Sequence, residues 1–214
     1  MVSIGKSVNR EVTAVISGMD QPLGMNIGNS LEVIEAIEVL KGNVTGDLLE
    51  VAVTLGSYML MSAKKVDSLE AGKAMLFENI KNGRGLSKFR ELLIQQGGNP
   101  NIIDDYSLLP ISEEKTIVFA ESDGYVCSMN TAEIGRASLE TGAGRASKSD
   151  KIDFGAGIIM KVRIGQPIKK GQPIAEIYSS SAEKCSSAAN YLRNAVKIGN
   201  EKPALPKLIL DIIR

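Results

Sequence analysis

A glycine-rich loop that opens onto a helix is the stretch of this sequence best suited to chemistry. An apolar run, Glu11–Ser17, leads into the loop Gly18–Gly28, and a strongly patterned helix follows from Asn29. Backbone N–H groups at a helix N-terminus are unpaired and face the positive end of the helix dipole, so such a loop can bind an anion. The glycine spacing fits neither the Walker nor the dinucleotide fingerprint. A plain tight turn that needs positive φ at Gly24 or Gly28 explains the same residues, and both interpretations stay open.

A second glycine-rich segment, Leu139–Lys148, places Arg145 among small residues and ends on a lysine. Asp150 and Asp153 follow it closely. An arginine and a lysine beside glycines can clamp an anion. The same composition suits a solvent-facing loop with local salt bridges, and we favour this structural role.

The third candidate is Gly157–Ile177, where two apolar strands flank a Gly-x-Pro-x-x-x-Gly-x-Pro pattern. It is similar to the hammerhead hairpin of biotinyl and lipoyl carrier domains, which present a modified lysine on the hairpin that follows. Here Tyr178–Ser181 follows instead, and Lys161 lies before the glycines. The sequence therefore argues against a carrier function.

Composition restricts the chemistry further. The 214 residues include no histidine and two distant cysteines, Cys127 and Cys185, which excludes a Ser-His-Asp triad, a Cys-His pair and the usual zinc spacings. Lysine plus arginine and aspartate plus glutamate both number 25, so no net charge attracts nucleic acid or an anionic membrane. No apolar run approaches the roughly 20 residues of a spanning helix, and there is no charged-then-apolar leader. We expect a soluble cytoplasmic protein with reduced cysteines and neither a nucleic-acid nor a membrane partner.

The first half of the sequence predicts one strand followed by helices. Glu11–Ser17 is rich in β-branched residues and predicts a buried strand. The four predicted helices are Asn29–Lys41, Leu48–Lys65, Leu69–Lys81 and Ser87–Gln96. Asn29 and Glu32 are expected to form a capping box on the first of them. The second is apolar nearly all round, which is typical of a helix buried by its neighbours. This order is consistent with the outer part of an α/β domain.

A polar, proline-bracketed linker at Asn99–Pro110 marks the predicted boundary between domains 1–105 and 106–214. The β-type runs beyond it are Thr116–Ala120, Gly124–Met129, Gly157–Ile164 and Ile174–Tyr178. A helix at Ala182–Lys197 and an apolar segment at Leu208–Ile213 follow. The predicted class is a mixture of α/β and α+β, with a mostly antiparallel sheet in the second domain.

Several of these segments resemble the family of pyrimidine nucleoside and thymidine phosphorylases. The resemblance is carried by Gln21–Gly24, Gly28–Asn29 and Leu31–Val33, and it is most specific over residues 21–42 and 142–171. It covers essentially the whole chain, and Met1–Gly5 resembles an internal segment of the family. The resemblance implies the C-terminal half of a phosphorylase: the back part of its α/β domain, followed by an α+β, hammerhead-like C-terminal domain.

In this family the glycine-rich loop and its helix help to form a monovalent-cation site. Matched position by position, the resemblance assigns as ligands the backbone carbonyls of Leu23 and Asn26 and the carboxylate of Glu35. Oxygen ligands of this kind suit a hard cation such as K⁺ or Na⁺. The family takes the remaining ligands from an upstream loop that this sequence lacks, so we expect only a half-site. A solvated carboxylate on the helix surface remains the alternative for Glu35.

The family catalyses reversible phosphorolysis of uridine or thymidine, giving the free base and pentose 1-phosphate. This is a glycosyltransferase reaction of pyrimidine salvage. The groups that hold the base and the phosphate co-substrate belong to the upstream half, so we assign no catalytic residue here. The resemblance implies that nucleoside and phosphate bind only when the upstream half is present as a partner. The alternatives are a non-catalytic remnant or assembly module and, less favoured, a carrier domain.

Overall fold

The computed structural model of the chain describes residues 2–145 and 147–214, so Met1 and Ala146 lie outside the described residues. The chain divides into two compact units, neither of which is continuous in sequence. The helical unit comprises Met1–Gly18, Ile37–Pro100 and Lys207–Arg214, and the sheet unit comprises Met19–Ala36 and Asn101–Pro206. The predicted domain boundary at 105/106 concerns a division along the sequence, and it stays a prediction.

Seven α-helices and nine strands are described. In chain order they are α1 (Val2–Ser7), β1 (Ala14–Ser17), β2 (Asn26–Ile27), α2 (Asn29–Leu40), α3 (Asp47–Ser62), α4 (Leu69–Lys81), α5 (Arg84–Gln95), β3 (Glu114–Phe119), β4 (Gly124–Met129), α6 (Thr131–Thr141), β5 (Gly157–Met160), β6 (Pro167–Ile168), β7 (Pro173–Ser179), α7 (Ala182–Ala195), β8 (Val196–Gly199) and β9 (Ile209–Ile213). Two short 3₁₀ helices, Pro100–Ile103 and Tyr106–Leu108, occupy the predicted linker. Among the described residues, none of the helices combines the length and apolar character that crossing a bilayer requires.

The helical unit combines a two-stranded ribbon with three consecutive helices. β1 and β9 pair antiparallel, with Ala14 opposite Ile213. α3 and α4 pack closely, because a Cβ added to Gly72 would lie 2.7 Å from the Cβ of Ser57. Among the described residues, the helical unit therefore has a close contact between α3 and α4 and a sheet of two strands.

The sheet unit contains two antiparallel sheets with strand orders β2-β5-β7-β3 and β6-β4-β8. Helices α6 and α7 pack on each other, α7 packs on β3 and β7, and α6 contacts β5 and β7. One hydrophobic cluster fills this unit, and its fully buried members include Val118, Ile134, Ile158, Ile177 and Leu192. The mixed class with antiparallel sheets that the sequence predicts is confirmed.

The expectation that α3 is buried all round is wrong. Its face bearing Val51, Thr54 and Tyr58 is buried, but Leu55 and Met59 are 39% and 68% exposed. The predicted buried strand is also only half-buried, with Ile16 41% exposed, because β1 pairs with β9 alone among the described strands. Both corrections fall in the helical unit.

In the sheet unit, the predicted strands and helices are found, and the main differences concern one strand boundary and one additional helix. The run predicted at Gly157–Ile164 ends as a strand at Met160, and α6 was not predicted at all. Its signal was present in the sequence, because Asn130 caps its N-terminus and Gly142 ends it with φ 96°. The glycine-rich segment that begins at Leu139 therefore starts within a helix rather than in a loop.

Candidate functional site

The loop Gln21–Gly28 folds against the carboxylate of Glu35, which lies two turns into α2. The backbone N–H of Met25 donates to Glu35 Oε1 at 2.7 Å, and that of Asn26 donates to Oε2 at 3.1 Å. Glu35 is 7% exposed, so the interpretation as a solvated surface carboxylate is wrong. A Cβ added to Gly24 would lie 2.2 Å from Glu35 Oε2, so this close approach requires glycine. The structure thus brings Glu35 against the loop at Met25 and Asn26, close in sequence to Leu23.

Within the sheet unit, an arginine distant in sequence binds the same loop. Nη1 of Arg163 donates to the carbonyl of Pro22 and lies 3.5 Å from that of Gly24. Next to it, the backbone N–H of Ile164 donates to Gln21 Oε1 at 2.9 Å. Arg163 was not predicted as part of this site, because no local pattern links it to Pro22, which lies 141 residues upstream. These contacts fix the carbonyls on either side of Leu23.

The donor atoms of this segment suit a hard monovalent cation. A carboxylate has about four lone-pair positions, and the two N–H groups bound to Glu35 use two of them. The amide side chain of Asn26 donates to the carbonyl of Leu31 at 2.8 Å. The backbone carbonyl of Asn26 is the ligand that the resemblance assigns, and that assignment stays a prediction. Among the described residues, no group of three acidic, cysteine or histidine side chains could hold a metal ion. One carboxylate and two carbonyls fit a cation chemically, but they are too few to surround it.

The N-terminus of α2 does not favour the alternative anion site. The N–H of Gly28 donates to Glu32 Oε1 at 2.9 Å, and that of Ser30 donates to the carbonyl of Phe154 at 3.2 Å. Gly28 has φ 125°, as the tight-turn interpretation requires. The capping box closes on Gly28 rather than on Asn29, whose side chain donates instead to the carbonyl of Ala143. The first amide groups of the helix therefore have partners within the chain.

The second candidate, Leu139–Lys148, includes Ala146, which lies outside the described residues. Beyond it, the hydroxyl of Ser147 donates to Asp150 in a local turn. Asp153 accepts the hydroxyl of Ser112 at 2.8 Å and the N–H of Gly155 at 3.0 Å. The acidic residues of this segment hold backbone turns, which favours the structural role expected from the sequence.

Lys161, the lysine considered for a carrier, lies just after β5 in an ion-pair cluster. Its Nζ is 3.2 Å from Glu176 Oε2, and that of Lys115 is 3.3 Å from the same oxygen. Burial alone would raise the pKa of Glu176, but hydrogen bonds from Lys161, Lys115 and Tyr178 outweigh it and lower the pKa. The hydrogen bond with Tyr178 contributes most to raising the pKa of Lys115. Lys161 thus lies in an ion-pair cluster on the sheet rather than at a hairpin tip.

Comparison with known proteins finds relatives that match the whole chain. The chain is 44% identical over 213 residues to the pyrimidine-nucleoside phosphorylase of Bacillus subtilis (strain 168), and the match covers 100% of this chain and 49% of that protein. Corresponding identities are 41% for the Staphylococcus epidermidis enzyme and 39% for that of Geobacillus stearothermophilus, with the same coverage. Residues 125–199 match the family described as pyrimidine nucleoside phosphorylase C-terminal domain. The chain is therefore similar to the C-terminal half of pyrimidine-nucleoside phosphorylases.

The chain spans about half the length of the pyrimidine-nucleoside phosphorylases that it matches. The match to the complete enzymes includes both the loop Gln21–Gly28 and Glu35. The narrower C-terminal domain match includes Arg163, Lys161 and Glu176 but not Lys115, and it takes in strands β5 to β8. The resemblance seen in the sequence is therefore confirmed for the chain as a C-terminal half.

Proposed function

We propose that this chain supplies the C-terminal half of a pyrimidine nucleoside phosphorylase and is inactive without an N-terminal half. The observation that carries the proposal is the 44% identity over 213 residues that make up only 49% of the relative. The proposed reaction is phosphorolysis of uridine or thymidine to the free base and pentose 1-phosphate. Its transferase class and the cytoplasmic location expected from the sequence are parts of the same proposal.

The reaction needs groups that this chain does not bring together. Phosphate attacks C1′ of the pentose while the pyrimidine leaves as an anion, so cationic donors must surround the base and a cradle must hold the phosphate. The sequence contains no histidine, and the N–H groups of Gly28 and Ser30 at the start of α2 have partners within the chain. We therefore assign the base-binding and phosphate-binding groups to the N-terminal half, and no catalytic residue to this chain.

The proposed contribution of this chain is half of a monovalent-cation site. The carbonyls of Leu23 and Asn26 and the carboxylate of Glu35 would be its ligands for K⁺ or Na⁺. Support comes from the burial of Glu35 and from the N–H groups of Met25 and Asn26, which hold its two oxygens in fixed positions. A bound cation would offset the charge of this buried carboxylate and tie the loop to the N-terminal half. Arg163 acts here as a positioning residue, because it holds the loop carbonyls beside Leu23.

Phosphate-dependent release of uracil or thymine tests the proposal directly. The purified chain is assayed alone and after co-expression with the N-terminal half of the Bacillus subtilis relative. Activity is expected only in the combination. Activity of the chain alone would show that the missing groups are wrongly assigned, and inactivity of a folded combination would favour a non-catalytic module.

A substitution of Glu35 tests the cation half-site in the active combination. Glu35→Gln is expected to reduce the stimulation of activity by K⁺ about ten-fold or more, because the charged ligand is lost. Glu38→Gln is the matched control on the same helix, where the carboxylate pairs with Lys41 and Asn43 instead. Equal cation dependence in both variants would contradict the assignment of Glu35.

A further inference from the structure

One face of α3 carries a continuous apolar stripe. Leu48, Ala52, Leu55 and Met59 follow one another at spacings of four, three and four residues, so they lie on one face of the helix. Leu55 is 39% exposed and Met59 is 68% exposed. The opposite face of α3 is the one that packs against α4. The helix therefore has two apolar faces, of which only one is covered within the helical unit.

An apolar groove adjoins this stripe. Its volume is about 450 Å³, and its apolar walls are formed chiefly by Leu40, Leu49, Ala52, Val53, Leu76 and Ile80. Ala52 belongs to both the stripe and the groove, so the two form one surface. Arg84 and Lys88 line the groove as its two cationic residues, and no acidic residue lines it. We call the stripe and the groove together the α3 surface.

The length of the relatives indicates what covers the α3 surface. The match to pyrimidine-nucleoside phosphorylases takes in their C-terminal part, so the other half of each relative precedes the residues that correspond to α1. α1 belongs to the helical unit, as does the α3 surface. A second copy of the same surface would bring a second Arg84 to the groove, where the neighbouring carboxylate of Glu91 is already paired with Lys88. A partner with apolar side chains and a carboxylate would complement both features of the groove.

We propose that the α3 surface is the docking site for the N-terminal half of a pyrimidine nucleoside phosphorylase. Apolar side chains of that half cover Leu55 and Met59, and an acidic group faces Arg84 at the groove. This inference rests on the proposed function, because it names the surface through which the two halves assemble. Burying an exposed methionine and leucine in such a contact is favourable by the usual hydrophobic effect.

The test places a charge on the stripe and measures assembly. The full chain, as Leu55→Asp or Met59→Asp, is co-expressed with the N-terminal half of the Bacillus subtilis enzyme, and the affinity of the two halves is measured by titration. Each variant is expected to weaken assembly about ten-fold or more, because a carboxylate would be buried without a partner. Leu108→Asp in the sheet unit is the control, since Leu108 is 48% exposed and lies outside the α3 surface. Met59→Leu is expected to keep the affinity of the unmodified chain.

Hydrogen exchange of the unmodified complex gives a second measurement that no folding defect can disturb. Amides of α3 are expected to exchange more slowly in the complex than in the chain alone. Two results would overturn the α3 surface as the docking site and leave the proposed function standing. One is an active complex in which the amides of α3 exchange as fast as in the chain alone. The other is that the Met59→Asp and Leu108→Asp variants bind the N-terminal half with equal affinity. Failure of the unmodified halves to associate would contradict both. A homodimer of the chain that Met59→Asp dissociates would assign the surface to a second copy and overturn the proposal.

Discussion

The sheet unit and the helical unit differ in how completely they bury their apolar side chains. The sheet unit encloses a cluster that runs through β3, β4, β5, β7, α6 and α7. In the helical unit the buried apolar side chains are Ile37, Val39, Val51, Val53 and Tyr58. Its exposed large apolar side chains outnumber them and are Ile4, Val8, Ile16, Leu55, Met59, Met75, Phe77, Leu92, Ile94, Leu210 and Ile213.

This difference indicates that the sheet unit encloses its own core, whereas the helical unit leaves many of its large apolar side chains exposed. A two-stranded ribbon such as β1–β9 is marginal by itself in water and normally gains stability from further strands or from packing. The sheet unit has two antiparallel sheets covered by α6 and α7. The sequence coverage leads to the same division, because the C-terminal domain family matches within the sheet unit.

Truncating one fully buried isoleucine in each unit should give the largest measurable contrast. Ile177→Ala in the sheet unit is expected to lower the free energy of unfolding by about 4 kcal/mol, because a closed core cannot collapse around the cavity. Ile37→Ala in the helical unit is expected to cost about 2 kcal/mol, since a small core can relax. Both side chains are 0% exposed. Urea unfolding followed by circular dichroism measures both, and equal losses would contradict the contrast between the two cores.

The rigidity of the sheet unit should extend to its loop, and Gly24→Ala tests this. The added methyl group would lie 2.2 Å from Glu35 Oε2, so the carboxylate must move and release the N–H groups of Met25 and Asn26. The expected loss in unfolding free energy is about 2–3 kcal/mol. Gly135→Ala in α6 is the matched control, since nothing lies within 4 Å of the added carbon, and it should stabilise by about 0.5–1 kcal/mol. A neutral Gly24→Ala would mean that the loop adapts freely.

The contact between α3 and α4 should be the least tolerant part of the helical unit. A Cβ on Gly72 would meet the Cβ of Ser57 at 2.7 Å and its Cα at 2.9 Å, where only movement of a helix gives relief. We expect Gly72→Ala to destabilise by about 1–2 kcal/mol despite its better helix propensity. In Gly56→Ala the nearest atom is the flexible end of Leu76 at 2.8 Å, so its effect should be close to zero. Similar melting temperatures for the two variants would show that the contact between α3 and α4 can adjust to the added methyl group.

The sequence predicted local elements well where their signals are local. α4 begins and ends as predicted, at Leu69 and Lys81, because Ser68 caps its first turn. Gly42 ends α2 with φ 79°, as a glycine after a helix should. Burial was predicted poorly in α3, because an apolar sequence shows only that a face can be covered. Which neighbour covers it is a property of the tertiary structure.

The candidate site was predicted in part, and through resemblance rather than periodicity. Leu23, Asn26 and Glu35 are close in sequence, and the N–H groups of Met25 and Asn26 hold the carboxylate of Glu35 against the loop. Arg163 escaped prediction because its contact with Pro22 spans 141 residues and leaves no pattern along the chain. Long-range contacts of this kind follow from strand order, which the sequence alone did not specify.

The smallest expected effect is a pH dependence confined to the sheet unit. Hydrogen bonds from Lys161 and Lys115 hold the pKa of Glu176 below its ordinary value of 4.5. The folded state therefore binds the proton less readily than the unfolded chain, so this stability is present above pH 4.5 and is lost as the pH falls below it.

We expect a loss of about 0.5 kcal/mol or less, because the lysine side chains are 33% and 41% exposed and solvent weakens both ion pairs. Urea titrations between about pH 5 and pH 3 measure it, and Glu176→Gln should remove this component from the transition of the sheet unit. Lys161→Met should reduce it more than Lys115→Met, since Lys161 is the less exposed of the two and the stronger donor to Glu176. The transition of the helical unit should be the same in all these variants, because none of these residues belongs to it. If the unfolding transitions of both units shift together with pH, the two units unfold as one. The contrast between their cores would then be a difference in packing and not in independent stability.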